Sequence, residues 1–169
     1  MHINRQHVTR DTQPPTESRP EPRRSTPSAR LSARFAGQAR AATSPETRLR
    51  QELHSRGLRF RVQYKVEGLP RRRIDIAFTR WRVAVSVDGC FWHGCPDHCV
   101  IPKNNRDWWL WKFEVNRARD LDTDHRLDEL GWTSLRVWEH EEPVRAADRV
   151  EQALLQLGFS RRRREAQHP

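Results

Sequence analysis

Residues 88–99 read DGCFWHGCPDHC and contain all three cysteines of the 169-residue chain together with two of its eight histidines. Thiolates and imidazoles at short spacings in a loop are the ligands that a tetrahedral zinc ion prefers. We therefore predict that Cys90, Cys95 and His98 bind zinc. Cys99 is an alternative to His98, and spacing alone does not decide between these two residues.

A closed zinc site needs a fourth ligand, which we expect from a distant segment because a structural ion gains most by joining remote pieces of chain. His140 is the best candidate, since it follows the apolar run that ends at Val137 and Trp138. A disulfide is the competing interpretation. It is disfavoured because three cysteines leave one unpaired and no secretory signal opens the chain.

The formal charge of +10 is concentrated at the two ends of the chain. Residues 1–44 carry eight arginines and three acidic residues, and residues 160–169 carry four arginines and one glutamate. Residues 1–44 also contain five prolines and few large apolar side chains that could offset the entropy of ordering. We predict a disordered basic arm over residues 1–44, one folded domain over residues 45–159 and a disordered basic tail over residues 160–169.

No run of 18 or more apolar residues occurs in the sequence, which predicts that the protein has no membrane span. We expect a soluble, cytoplasmic protein. Mobile basic ends would attract nucleic acid without sequence preference. Whether they contact DNA is not decided by the sequence.

Periodicity and capping residues predict a mixed α/β fold. A helix begins at Ser44-Pro45-Glu46 and ends near Gly57. Phe60, Val62, Tyr64 and Val66 alternate with polar residues, as in a half-exposed strand. The remaining predicted elements are strands over 73–78, 83–87 and 132–138, a helix over 107–130 capped by Asn105 or Asp107, and a helix over 143–157 that buries Val150, Leu154 and Leu157. This order predicts a central mixed sheet flanked by helices.

Asp75 is a lone carboxylate between Ile74 and Ile76, where it would lose hydration without a nearby ion or donor. An ion pair with a neighbouring arginine is the simpler explanation. Together with Glu46 in the first helix, however, Asp75 resembles the layout of restriction-endonuclease-like nucleases. Carboxylates at strand ends hold a divalent cation in such sites, commonly magnesium. Their usual acid-x-Lys triplet is absent here, where the strand reads Val85-Ser86-Val87.

The sequence DGCFWH at 88–93 is similar to the core of the very short patch repair (Vsr) endonuclease family. The resemblance extends over residues 45–158 and includes the segments 107–109, 116–120, 130–132 and 137–139. That family nicks one strand of duplex DNA 5′ to the thymine of a T:G mismatch left by deamination of 5-methylcytosine. The resemblance implies this activity, a restriction-endonuclease-like fold with a structural zinc site, and mismatched double-stranded DNA as substrate.

Carried over by position, the resemblance implies that Asp75 is the principal magnesium ligand, with the Val87 backbone carbonyl as a second. His93 would be the catalytic histidine, because an imidazole can exchange protons near neutral pH. Glu46 and Asp120 would support the site. Each has a simpler alternative: His93 as a zinc ligand, Glu46 as a helix-start acid, and Asp120 as the partner of a nearby arginine.

Asp88 departs from the family pattern, since some members have a catalytic histidine immediately before the Gly-Cys pair. Asp88 is a candidate to bind or orient the metal instead. The identity of the general base therefore stays open.

Phe91, Trp92 and Trp109 match aromatic positions that the family inserts between bases beside the mismatch. Unstacking costs least at a mispair, so aromatic insertion discriminates damaged from intact duplex. Trp92 and Trp109 could instead be core residues.

Two other functions stay open. One is a zinc-stapled DNA-binding module or inactive relative, and the other is a related nuclease of different specificity. We expect a monomer. The sequence identifies neither the methylation-site context nor any mismatch-repair partner protein.

Overall fold

The computed structural model describes residues 20–26 and 44–160. Apart from residues 20–26 and 44, the predicted basic arm lies outside the described residues, as does the predicted tail beyond residue 160. The described part forms α1 (Ser44–Ser55), β1 (Arg61–Tyr64), β2 (Ile74–Phe78), β3 (Val83–Asp88), α2 (Arg106–Glu129), β4 (Thr133–Trp138) and α3 (Pro143–Gln156). The predicted order of elements and the mixed α/β class are confirmed.

The four strands form one sheet in the order β1-β2-β3-β4. β1 and β3 each pair antiparallel with β2, whereas β3 and β4 are parallel, as expected for strands joined by a long crossover helix. Asp88 at the end of β3 is in register with Trp138 at the end of β4. The start of β2 lies at the same edge of the sheet, because Phe78 at its end pairs with Val83 at the start of β3. We call this edge the site edge.

Both faces of the sheet are covered. One face packs against α1 and α3, and its buried residues include Leu49, Leu53, Ile76, Val85, Val137, Val150 and Leu154. The opposite face packs against α2, with Ala77, Ala84, Leu127 and Trp132 among its buried residues. Burial on two faces explains why β3 is apolar or small along nearly its whole length. In the described ranges, no helix has the length and apolar character needed to cross a membrane.

Two predicted apolar positions are exposed. Val62 is 47% exposed because Gln63 has a φ of 48°, which interrupts the alternation of faces along β1. Leu157 is 44% exposed because α3 ends at Gln156 and the chain turns at Gly158, where φ is 88°. The predictions of a regular apolar face on β1 and of a buried Leu157 were therefore wrong.

Candidate active site and metal centre

Four predicted zinc ligands converge at the site edge. One ligand atom from each of Cys90, Cys95, His98 and His140 lies within 4.8 Å of every other. Cys90 Sγ is 3.0 Å from His140 Nδ1, and Cys95 Sγ is 3.7 Å from the Nδ1 atoms of both histidines. Zinc bonds of about 2.0–2.3 Å place tetrahedral ligand atoms roughly 3.5 Å apart. The four side chains therefore have the donor types and spacing of a metal-binding cluster.

The parallel pairing of β3 with β4 explains why these ligands meet. The loops that follow the two strands leave the sheet at the same edge, and the Cys90 N–H donates a hydrogen bond to Glu139 Oε1 over 2.6 Å. Burial, together with the neighbouring Cys95, raises the pKa of the Cys90 thiol to about 12. A bound cation would lower this pKa and hold the sulfur as a thiolate at neutral pH.

Cys99 lies beside the cluster and outside it. Its Sγ is 3.8 Å from the carbonyl oxygen of Phe91, whereas His98 Nδ1 faces Cys95. The sequence left these two residues as alternatives, and the geometry favours His98 as the fourth member of the set.

Asp75 is held at the start of β2 by two hydrogen bonds. Its Oδ2 accepts the backbone N–H of Val87 at 2.9 Å, and its Oδ1 accepts the Gln63 amide at 3.1 Å. Burial raises the pKa of Asp75, and the charges of Glu46 and Asp88 act in the same direction. Three carboxylates therefore gather at the site edge, and their mutual repulsion favours a bound cation.

Glu46 is 3% exposed, so it is more than a surface acid at the start of α1. Its Oε1 lies 3.3 Å from Arg50 Nη1 as an ion pair, but this oxygen has no hydrogen-bond partner within the described part of the chain. Burying a carboxylate oxygen without a hydrogen bond costs folding free energy. The charge of Glu46 acts on Asp75, and a carboxylate oxygen in this state is suited to a hard cation.

His93 forms its closest contact with Asp120, whose Oδ2 lies 2.5 Å from the imidazole Nδ1. Asp88 Oδ1 is 3.9 Å from the same nitrogen. Burial alone would raise the pKa of Asp120, but the His93 hydrogen bond and the Arg136 charge outweigh it and lower the pKa. An ionised Asp120 fixes Nδ1 as the donor, which leaves Nε2 as the unprotonated nitrogen of the neutral imidazole.

Arg136 in β4 is the functional candidate that sequence reasoning missed. Its Nε and Nη2 donate to the two oxygens of Asp88 at 2.7 and 2.6 Å. Nη2 is also 3.2 Å from Asp120 Oδ2, and Nη1 is 3.4 Å from Asp124. A single arginine between Leu135 and Val137, in an otherwise apolar strand end, was the available signal.

The aromatic residues form one packed group. Phe91 lies 5.3 Å from Trp92, 4.9 Å from Trp109 and 5.7 Å from Phe113, measured between ring centroids. Trp109 is 8% exposed, whereas Phe91 and Trp92 are half-buried. The buried Asn116 donates a hydrogen bond to the Trp92 carbonyl at 2.7 Å, which ties the group to α2.

Residues 20–26 lie against the start of α2. Glu21 accepts the indole N–H of Trp108 at 2.7 Å, and the Arg24 guanidinium lies 4.6 Å from the centre of the same ring. Asn105, one of the two predicted cap residues, is the N-cap of α2, but among the described residues its side chain bonds Ser25 and does not cap the first turn. The predicted side-chain cap was therefore wrong.

The carboxylates and His93 lie at one edge. Asp88 links them, because Asp75 accepts the N–H of the neighbouring Val87 and Asp88 itself approaches His93 Nδ1. The sheet topology accounts for this meeting: β2 begins where β3 ends, and α2 crosses beside the loop that follows β3.

The chain is similar to several proteins named as nicking or mismatch endonucleases. Residues 25–100 match the family model described as DNA mismatch endonuclease Vsr. The type II nicking enzyme V.NaeI of Lentzea aerocolonigenes is 42% identical over 125 residues, which cover 71% of this chain and 75% of that enzyme. The type II nicking enzyme V.HpaIIP of Haemophilus parainfluenzae is 34% identical over 117 residues, covering 67% and 79%. The DNA mismatch endonuclease Vsr of Escherichia coli K12 is 40% identical over 100 residues, covering 57% and 61%.

Proposed function

The chain belongs to the Vsr family of DNA endonucleases, and we propose that it nicks one strand of duplex DNA 5′ to the thymine of a T:G mismatch. We assign this activity to the domain spanning residues 45–159, acting as a single chain. The observation that supports the proposal is that Asp75 accepts the N–H of Val87 at the end of β3, next to Asp88, which in turn approaches the His93–Asp120 pair.

The residues at this edge fit a magnesium ion. Asp75 would hold it, and we assign a supporting role to Glu46, whose Oε1 has no hydrogen bond among the described residues. The N–H and C=O of one residue in an extended strand point to the same side. The Val87 N–H points at Asp75, so its carbonyl oxygen is directed to the same side and is suited to be a second ligand. When bound, magnesium would lower the pKa of water and offset the charge of the scissile phosphate.

The chain's own residues handle the proton. His93 removes it from the attacking water through Nε2, while Asp120 holds Nδ1 and stabilises the imidazolium. The new bond joins the water oxygen to phosphorus, and the broken bond joins phosphorus to the leaving sugar oxygen, which takes a proton from solvent. Asp88 is less suited to act as the base because Arg136 occupies both of its oxygens.

The aromatic group supplies a means of recognising the mismatch. Phe91 and Trp92 are half-buried, and both pack on the buried Trp109. Insertion of such rings beside a base pair requires unstacking, which costs least at a mispair. We assign Phe91 and Trp92 to this role, with the buried Trp109 supporting them from below.

We assign the Cys90, Cys95, His98 and His140 cluster to a structural zinc ion. Its ligands come from the loops after β3 and β4, so the ion would fix the loop that contains Phe91, Trp92 and His93. Thiolate and imidazole donors favour zinc over magnesium at this position.

A nicking assay on end-labelled duplexes tests the proposal. T:G, fully matched and other mismatched duplexes are incubated with and without magnesium. We expect a single nick 5′ to the mismatched thymine, dependent on magnesium, lost in Asp75→Ala and retained in Asp122→Asn. Cutting of matched DNA would indicate a nuclease of different specificity, and binding without cutting would indicate a DNA-binding module.

A further inference from the structure

Arg136 is a point of contact between three acidic side chains near the candidate active site. Its guanidinium makes a two-pronged contact with Asp88, approaches Asp120 Oδ2 at 3.2 Å and approaches Asp124 at 3.4 Å. Burial opposes the charge on Arg136, but the hydrogen bonds and charge of Asp88 outweigh burial and raise the pKa of Arg136. The guanidinium therefore stays charged in this position.

Two of these carboxylates, those of Asp120 and Asp88, lie close to both Arg136 and His93. Asp120 Oδ2 lies 2.5 Å from His93 Nδ1 and 3.2 Å from Arg136 Nη2. Asp88 Oδ1 lies 3.9 Å from His93 Nδ1 and 2.6 Å from Arg136 Nη2. Two partly buried carboxylates this close repel each other unless a cation lies between them, and Nη2 occupies that position.

We propose that Arg136 is a positioning residue for strand cleavage. Arg136 keeps Asp120 within hydrogen-bonding distance of His93 Nδ1, so that Asp120 orients the imidazole. It also binds both oxygens of Asp88, so Asp88 does not compete with Asp120 for the imidazole. This role rests on the proposed function for its effect on cleavage, but the His93–Asp120 geometry that it maintains is independent of the substrate.

The planar guanidinium is essential to this arrangement. Nε and Nη2 reach the two oxygens of Asp88 while Nη1 faces Asp124, a fork that a lysine ammonium cannot reproduce. We therefore expect Arg136→Lys to behave like Arg136→Ala rather than like the native protein. Arg126→Ala is the matched control, since Arg126 is an exposed arginine that pairs with Asp122 on α2.

The first test is single-turnover nicking of a T:G duplex with added guanidinium. A misplaced catalytic group can cost about 100-fold in rate, so we expect Arg136→Ala to lose about 100-fold in the rate constant while its affinity for the duplex changes by less than about twofold. Free guanidinium at millimolar concentration should raise the nicking rate constant of Arg136→Ala at least about tenfold, because it can occupy the space that the arginine side chain leaves. It should not accelerate the native protein or Arg126→Ala. Unchanged nicking by Arg136→Ala, or a loss that guanidinium does not restore while the variant stays folded, would overturn the proposal.

The second test reads the geometry without any substrate. The proton between His93 Nδ1 and the ionised Asp120 should give a downfield NMR signal that is assigned by its absence in His93→Gln. We expect Arg136→Ala to lose this signal and guanidinium to return it, while Arg126→Ala keeps it. If the native chain shows the signal but does not nick T:G duplexes, the proposed function fails and the positioning role stands. If Arg136→Ala keeps the signal, the positioning role fails.

Loss of Arg136 leaves carboxylates unpaired, which by itself can prevent folding. The double variant Asp88→Asn with Arg136→Gln removes the ion pair and keeps polar groups at both positions. We expect this variant to fold with bound zinc and to lose the His93 signal, because the amide that replaces the guanidinium carries no charge to hold Asp120 directly. A folded double variant that retains the signal would show that Asp120 needs no cation to hold His93, and it would overturn the proposal.

Discussion

His93 Nδ1 lies 2.5 Å from Asp120 Oδ2, and this contact joins the loop after β3 to the middle of α2. The two residues are 27 positions apart in the chain, yet Asn116 on the same helix also holds that loop through the Trp92 carbonyl. The helix therefore fixes both the imidazole and the backbone of Trp92, which immediately precedes it.

Asp120→Asn should reduce nicking by about 10²–10⁴-fold, because the imidazole loses the carboxylate that selects its tautomer and stabilises its charged form. Duplex binding should stay close to native, since the substitution leaves the aromatic group unchanged. Single-turnover rates and binding isotherms measure the two effects. Asp122→Asn, two residues along α2 and paired with Arg72 and Arg126, is the control and should nick normally. Native activity in Asp120→Asn would remove this residue from the site.

Asp75→Asn should abolish nicking and raise the thermal stability of the protein without magnesium. Burial raises the pKa of Asp75 above its ordinary value of 3.8. A carboxyl group whose pKa rises on folding contributes stability at low pH and loses that contribution as the pH rises through the folded-state pKa. Above that pH we expect Tm to increase by about 2–4 °C, which corresponds to about 1 kcal/mol for a chain of this size.

Thermal unfolding of Asp75→Asn and the native protein across a pH series measures this difference. Asp128→Asn, an exposed acid on α2, should not change Tm. An Asp75→Asn variant less stable than the native protein at high pH would contradict the expected repulsion among the carboxylates.

One zinc ion per chain should survive dialysis and be lost in Cys90→Ser together with cooperative unfolding. The reason is that a structural zinc ion contributes folding free energy by joining the loops after β3 and β4. Cys99→Ser should keep one zinc ion, since its sulfur faces the Phe91 carbonyl. Metal analysis and thermal denaturation give both results. A metal-free protein that folds stably would exclude the zinc site.

Trp92→Ala should weaken binding to a T:G duplex while leaving binding to matched DNA nearly unchanged. Stacking of a base on an aromatic side chain contributes about 1–3 kcal/mol, which is about 5-fold to 150-fold in affinity. Competition binding with T:G and matched duplexes measures the ratio of the two affinities. Trp81→Ala is the control, because Trp81 packs on Phe159 away from the site edge. Equal losses on both duplexes would mean that Trp92 acts only through packing.

The sequence was most informative where chemistry or periodicity is local. Cysteine and histidine spacing identified three members of the metal cluster, and the histidine after the last strand identified His140. The position of Asp75 in an apolar strand predicted that its carboxylate needs a partner, and its oxygens accept the Val87 N–H and the Gln63 amide.

Contacts that depend on strand register could not be predicted. Arg136 reaches Asp88 only because β3 and β4 are parallel and in register at their ends. In a chain with 32 lysines and arginines, one arginine in a strand did not stand out. Val62 and Leu157 were assigned to apolar faces because periodicity carries no information about a left-handed Gln63 or about where α3 ends.

Whether the Asp75 carboxylate and His93 act on one phosphodiester is tested most directly with Mn²⁺, a paramagnetic substitute for magnesium. At concentrations that support nicking, we predict that Mn²⁺ broadens the imidazole NMR signals of His93 in the native protein and leaves them sharp in Asp75→Asn. His54, eight residues beyond Glu46 along α1 and so about 12 Å away, should broaden far less. Sharp His93 signals in a native protein that nicks DNA with Mn²⁺ would contradict a shared site.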